Sequence, residues 1–331
     1  MARIAKIFVL LVALIAVWAF PRLIDHQGTT FNLKPVIVDL PPPTITAYFV
    51  GDMMLDRGVL FSINKNYDGD FSKLFDDLGF LATGDFVFGN LEGPASDKGY
   101  DLGNLWSFRM LPEVITVLKN AGFNILSLAN NHAGDWGREA FHDTVDRLQA
   151  EDILPVGVFA DNQDTSSVIQ EIKGIKFGWL GFTDLGPKWL AEGDGPIIGW
   201  AGRGDLLEVI KEAAEKVDVL IVSFHFGDEY QPLPNVRQKY LAETAIDSGA
   251  KIVIGHHPHV VQPTEFYNDG LIAYSLGNFV FDQYFSDETM TGKILKIEFE
   301  GEKIKTIEEI ITKQDETYKP WVDDKEKGAS H

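Results

Sequence analysis

The sequence predicts a mixed α/β fold, and two patterns carry that expectation. Short apolar runs rich in β-branched and aromatic residues alternate with longer amphipathic stretches through most of the chain. Nearly every apolar run also stops at a polar cluster: Asp52, Glu92, Asn131-His132, His225, His257 with His259, and Asn278. Strands that end in Asp, Glu, Asn and His side chains build metal sites at the edge of a sheet, where two-metal hydrolases do their chemistry. A reaction class is legible here and a substrate is not.

The elements follow in chain order. Arg3 and Lys6 precede an unbroken apolar stretch over residues 7–20, which closes at Pro21 and Arg22. A positive end followed by such a core is an export signal, of signal-peptide length and short for a spanning helix. Val17-Trp18-Ala19 is a poor cleavage site, so residues 1–22 read as an uncleaved signal-anchor with its positive end in the cytoplasm. The expectation is a single-pass cell-membrane protein with its main domain extracytoplasmic, or a secreted one if the signal is cleaved. Residues 23–43 end in Pro41-Pro42-Pro43, a stiff extended spacer. Strand-like runs then occupy 45–50, 86–88, 124–128, 176–182, 217–224, 251–254 and 271–275. Amphipathic helical stretches fall at 112–120, 138–150, 204–216 and 236–247. Residues 293–300 and 303–311 alternate about Gly301 and predict a closing hairpin. One domain over 44–312 is the simplest division, with 313–331 a polar tail that frays.

Composition narrows the function further. A net charge of −20 leaves no basic face for a phosphate backbone, so no nucleic-acid partner is expected. The chain has no cysteine, which removes disulfides, thiolate zinc and a cysteine nucleophile together. Any metal ligand must then be His, Asp, Glu or Asn. An anionic substrate on so acidic a protein calls for a local basic lining, expected around Arg57, Arg109 and Lys188.

Gly51-Asp52 presents a carboxylate at a strand end, beside a glycine that lets the backbone turn sharply. Asn90-Leu91-Glu92-Gly93 repeats the arrangement. In Asn130-Asn131-His132 an amide oxygen is placed to ligate a hard cation while the adjoining imidazole protonates a leaving oxygen, and Asp135 follows in Gly134-Asp135-Trp136-Gly137. Val219 to Phe224 delivers His225, with Glu229 and Tyr230 after it. The sharpest signal is Gly255-His256-His257-Pro258-His259. Three imidazoles in four positions are costly to desolvate for packing alone, and at a strand exit His257 and His259 project to one side. Tyr274-Ser275-Leu276-Gly277-Asn278-Phe279, leading to Asp282-Gln283, supplies either groups that orient such ligands or a structural turn.

These ordered stretches resemble the CapA-type poly-γ-glutamate capsule-synthesis proteins, a branch of the calcineurin-like metallophosphoesterase superfamily. The resemblance rests on Gly51-Asp52-Met53-Met54-Leu55-Asp56-Arg57, Asn90-Leu91-Glu92-Gly93, Asn130-Asn131-His132-x-x-Asp135-x-Gly137, His225-x-Gly227-x-Glu229-Tyr230, His257-Pro258-His259-Val260 and Ser275-Leu276-Gly277-Asn278-Phe279, over about residues 45–285. It implies a four-layer αββα sandwich with two divalent cations (Mn, Zn, Fe or Mg) at strand ends. On that template Asp52 holds one ion, Glu92 bridges, Asn131, His225 and His257 serve the second, and His259 returns to the first. His132 is the proton donor, with Arg57 and Asp135 beside it. Asn90, Glu229, Tyr230, His256 and Asn278 support ligands or substrate. The chain departs from the superfamily at Met54, where a ligating His is usual, and at Glu92, where Asp is usual; Asp56 is a candidate replacement at the first ion.

Three functions are implied. The first is a metal-dependent hydrolase or transferase acting on a phosphoester or an anionic polymer during capsule synthesis or export. The second is a non-catalytic subunit that binds metal and polyanion in a membrane assembly, together with other membrane subunits. The third is a nucleotidase, with Trp106, Phe108, Trp136 and Tyr230 available to stack a base.

Overall fold

The computed structural model describes residues 41–161 and 164–327. The stretch read as a signal-anchor, and most of the spacer, lie outside the described residues. Among the described residues no helix is long and apolar enough to cross a membrane.

Two large sheets form the frame. The first runs β16 (Pro320–Lys327), β15 (Lys303–Gln314), β14 (Thr291–Glu300), β1 (Thr44–Met53), β2 (Phe86–Leu91), β3 (Ile125–Ser127), β4 (Leu154–Val156), and β13 (Asn278–Val280) joins the end of β1. The second runs β11 (Thr264–Tyr267), β12 (Gly270–Ala273), β10 (Ile252–His256), β9 (Val219–His225), β7 (Ile175–Thr183), β6 (Val168–Ile172). A small ladder pairs β5 (Val158–Phe159) with β8 (Ile197–Ile198). The central strands of each sheet are parallel.

Parallel strands of this kind are covered on both faces, and their sequences are continuous apolar runs for that reason. Along β9, Val219 and Ile221 enter the core between the sheets, while Leu220, Val222 and Phe224 pack under α4 (Leu206–Ala214) and α5 (Val236–Asp247). Along β1, Ile45, Ala47 and Phe49 face the second sheet. Its alternate residues Tyr48 and Val50 pack beneath α1 (Arg57–Asn66), the 3-10 turns of Phe71–Thr83, α2 (Val114–Asn120) and α3 (Gly137–Ala150). The order of layers is thus helices, sheet, sheet, helices. Helix α5 keeps the boundaries its periodicity predicts because Asn235 and Gln238 close a capping box at its start.

Two expectations are corrected here. Residues 313–327 do not fray: β15 continues to Gln314 and β16 pairs with it antiparallel. Lys313 bridges buried Asp323 at 2.7 Å, and Val322 packs against the core beneath the helices. Over 313–323 the segment reads as polar because Gln314 and Asp323, which are buried, are themselves polar. Gly51 also serves a different purpose from the one its sequence suggests. It lies within β1, and a Cβ there would sit 1.9 Å from the Gly277 carbonyl oxygen. Its bareness lets β13 approach, so that the Asp52 N–H can donate to that oxygen at 2.9 Å.

The register of these strands decides what meets at their ends. Asp52 lies level with Asn90 on β2 and with Asn278 on β13. In the other sheet His256 lies level with His225. Both rows stand at the carboxyl ends of the parallel strands, where the sheets face each other. Towards the opposite, amino ends of these strands the two sheets are packed together by Phe86, the first residue of β2, its ring lying 5.7, 5.3 and 5.4 Å from those of Phe49, Phe177 and Trp179. Phe86→Ala is expected to lower the unfolding free energy by about 3–5 kcal/mol in urea titrations followed by tryptophan fluorescence. A loss below about 1 kcal/mol would contradict this packing of the sheets.

Candidate metal centre and adjoining cleft

Asp52 is fully buried and surrounded by donors. Asn90 Nδ2 donates to its Oδ1 at 2.9 Å and the backbone N–H of His257 to its Oδ2 at 3.1 Å. His256 Nδ1 stands 3.1 Å from Oδ1, and His259 Nδ1 stands 3.4 Å from Oδ2. Glu92, equally buried, receives Asn90 Nδ2 at 3.3 Å on Oε2, and its Oε1 lies 3.7 Å from His259 Nε2. Asn131 Oδ1 meets His225 Nε2 at 2.7 Å, and Asn278 Oδ1 meets His259 Nδ1 at 2.9 Å. Two groups of side chains bring ligating atoms within 4.8 Å of one another: Asp52, Glu92 and His225, and Glu229, His257 and His259. Residues 52, 92, 131, 225, 257 and 259, scattered over most of the chain, therefore come together.

His257 and His259 converge by a route that strand alternation does not describe. Strand β10 ends at His256, and the next turns hold His257 at φ 99° and His259 at φ 57°, with ring centroids 5.6 Å apart. Arg57 at φ 51° and Tyr230 at φ 62° share this left-handed backbone. Such conformations are costly for non-glycine residues, and here they aim side chains at one place.

Beside the buried cluster opens a cleft of about 170 Å³, lined by His132, Arg57, Glu229, Tyr230 and His259 with a wall of aromatic rings. His132 Nδ1 pairs with Asp135 Oδ2 at 2.7 Å, and Phe108 lies against the imidazole with centroids 3.9 Å apart. Asp135 is held by the Phe108 N–H and by Asn104 Nδ2, both at 2.9 Å. Arg57 Nε reaches Asp282 at 3.2 Å and the guanidinium stands near the Trp106 and Phe108 rings. The expected basic lining is smaller than the sequence suggests. Arg109 stacks on Trp136 at 3.6 Å, and Lys188 borders a different cavity. Of the four aromatic residues considered for base stacking, Trp106, Phe108 and Tyr230 line the cleft.

Two residues take roles that the sequence does not assign them. Asn130 donates to Asn90 Oδ1 at 3.2 Å and to the Leu91 carbonyl at 2.8 Å, bracing the Asn90 hub. Phe108 touches both His132 and, through a small cluster, Met54 and Phe281. Asn130 is visible within its motif and Phe108 as one of several aromatics, but which group each one touches is decided by contacts across the chain.

A family model described as "Bacterial capsule synthesis protein PGA_cap" matches residues 46–283. The chain belongs to this family. It is 35% identical over 254 residues to the PGA biosynthesis protein CapA of Bacillus subtilis, a match covering 75% of this chain and 66% of that protein. It is also 35% identical over 252 residues to the capsule biosynthesis protein CapA of Bacillus anthracis, covering 72% and 60% respectively. The chain thus spans slightly less than two thirds of the length of these relatives. Its fold is similar to that of a phosphatase from Mycoplasma pneumoniae, with a TM-score of 0.51, 17% identity, and 84% of this chain and 96% of that one covered.

The donor set in this family member fits divalent cations. Imidazoles, carboxylates and an amide oxygen suit Mn, Zn, Fe or Mg, and the arrangement leaves Glu92 Oε1 and His257 Nδ1 buried without a hydrogen-bond partner. Burial drives the Glu92 carboxyl well above its usual range, against the pull of His259, and neighbouring Asp52, Glu229 and Asp135 add to the rise. For Asp52, burial works upward, but the hydrogen bonds from His256 and His259 hold it well below the usual carboxylate range. Burial and the nearby His257 keep His225 neutral, and burial with the nearby His259 lowers His257 to about 3. Burial would lower His259 as well, yet Glu92 and Asp52 lift it to about 9. The Glu92–His259 pair therefore retains a proton into alkaline solution.

A cation held by Glu92 and His259 would have to displace that proton. Because the pair's affinity for it is raised, metal binding weakens as pH falls below about 9 and strengthens as pH rises towards it. Calorimetric titration with manganese(II) in buffers of different ionisation enthalpy should show about one proton released per protein and an affinity rising up to about tenfold per pH unit from 7 to 9. Binding independent of pH in that window would contradict the assignment of Glu92 and His259 as ligands.

Proposed function

We propose that this chain is a metal-dependent hydrolase or transferase of capsule-polymer synthesis or export, acting on the outer face of the cell membrane. The observation that carries the proposal is the junction of the buried Asp52–Glu92–His225 group with a cleft containing a carboxylate-paired histidine and one arginine. Support for the setting comes from the family and from relatives named for capsule and PGA biosynthesis. The membrane location rests on the apolar stretch at residues 7–20 behind Arg3 and Lys6. The substrate class is a phosphoester or an anionic polymer such as an amide-linked glutamate chain.

Asp52, Glu92, Asn131, His225, His257 and His259 would hold two divalent cations, which supply Lewis-acid polarisation and a water acidic enough to attack at neutral pH. The remaining roles belong to the protein. Asp135 engages His132 Nδ1, which fixes the ring and leaves Nε2 as the nitrogen that gives a proton to the leaving group. Phe108, packed on the imidazole, resists its rotation and excludes water from that face. Arg57, steered by Asp282, places N–H donors where negative charge develops on substrate oxygens. The cleft's aromatic wall lowers the local dielectric and strengthens these contacts.

A second reading has one observation in its favour. Met54 is fully buried against Phe108 and Phe281 at the place where the superfamily usually has a ligating histidine. A centre weakened there would bind polyanion through its cations without turnover, as a subunit of a membrane assembly.

His132→Ala in the manganese-loaded protein separates the two. The enzyme reading expects kcat on a generic phosphoester or on polyglutamate to fall by about 10²–10⁴ with metal content unchanged. Unaltered turnover would remove His132 from the reaction. Retained metal and polyglutamate binding with no turnover by the wild type would select the binding subunit.

A further inference from the structure

We infer that Glu229 is a metal ligand, filling the coordination position that Met54 leaves vacant. The inference rests on the metal centre proposed above and extends it to a residue that the family resemblance gives only as a support for ligands or substrate.

Met54 cannot serve. Its side chain is fully buried with Phe108 and Phe281, its sulfur accepts the Asp56 N–H at 3.2 Å, and a thioether is a poor ligand for hard cations. Asp56, the replacement suggested by sequence, is committed as well: its Oδ2 accepts the Arg109 N–H at 2.8 Å, and it belongs to neither group of converging ligand atoms.

Glu229 does belong to one. A carboxylate oxygen of Glu229 and one nitrogen each of His257 and His259 lie within 4.8 Å of one another. Two ligands about 2.1 Å from a shared ion stand at most about 4.2 Å apart, so a small side-chain rotation brings Glu229 within reach of the ion that His259 serves, with His257 on the neighbouring ion close by. His257 is 6% exposed, and its Nδ1 is buried with no hydrogen-bond partner, an uncommon state for a polar atom in a finished core. The backbone also fixes the approach. Gly227 at φ 98° turns the chain after β9, and the Tyr230 N–H donates to the Pro258 carbonyl at 2.8 Å. That bond ties the loop bearing Glu229 to the loop bearing both histidines. Glu229 is exposed on the cleft side, so it closes the centre from the solvent face while Asp52 and Glu92 close it from the core.

The chemistry differs from a histidine at position 54. A carboxylate adds a negative charge to the centre, offsetting more of the cations' charge and favouring ions that accept oxygen ligands, such as manganese and magnesium.

The test uses the full chain, stripped of metal and titrated with manganese(II). Bound ions are counted by elemental mass spectrometry, and paramagnetic resonance distinguishes coupled pairs from single ions. Wild type is expected to bind two ions with a coupled spectrum. E229A is expected to hold one tightly, bind the second about tenfold or more weakly, and lose the coupling. E229Q should behave similarly, and D56A should match wild type. Because Glu229 is exposed, circular dichroism and thermal melting of metal-free E229A should match wild type. Two tightly held, coupled ions in E229A, or loss of the second ion in D56A alone, would overturn the inference and leave the metal centre standing. Wild type that binds no manganese would overturn both.

Discussion

The buried carboxylate of Asp52 is the interaction on which the rest of the site depends. It stands at the end of β1 and collects Asn90 from its own sheet together with His256 and the His257 backbone from the opposite sheet. A charge removed from water is tolerated only when its lone pairs are satisfied, so these donors are a condition of its burial. The same contacts join the ends of two sheets that elsewhere touch through apolar side chains. Structural cohesion and ligand placement are one arrangement here.

That arrangement explains the electrostatics of the cleft. The carboxyl groups of Asp52, Glu92 and Glu229 gather here, and the basic groups beside them are His259 and the Asp282-paired Arg57. Protonation of the Glu92–His259 pair balances the site when no ion is present. On a chain of net charge −20, attraction of an anionic substrate has to be generated within a few ångströms of the reacting group. Arg57 and bound cations would do so locally, and the single arginine in the cleft agrees with that division.

Much of the frame was legible in the chain. The apolar runs of β1, β7, β9 and β10 and the amphipathic periods of α3, α4 and α5 fall within a few residues of their observed limits, because burial of both strand faces and one helix stripe writes directly into residue type. Short elements were silent: β5 and β8 are two residues each, too brief for a period to register. Helix α1 begins at Arg57, inside a stretch dominated by the Asp52 motif, and lacks a side-chain cap. The polar 313–327 segment concealed β16, since buried side chains described there include the polar Gln314 and the Lys313-paired Asp323.

By itself the sequence determined which side chains end the strands, because a run of apolar residues interrupted by Asp, Glu, Asn or His is a local pattern. It also determined the family, through motifs spread along the domain. Tertiary structure alone decided how those ends face each other: the register of Asp52 with Asn90 and of His225 with His256, the left-handed turns that aim His257 and His259, and the stacking that removes Arg109 from the cleft. The physical reason is that such positions depend on contacts between residues far apart in sequence. Glu229 and Met54 show it most directly, one brought to the histidines by a loop-to-loop hydrogen bond and the other drawn into an apolar cluster.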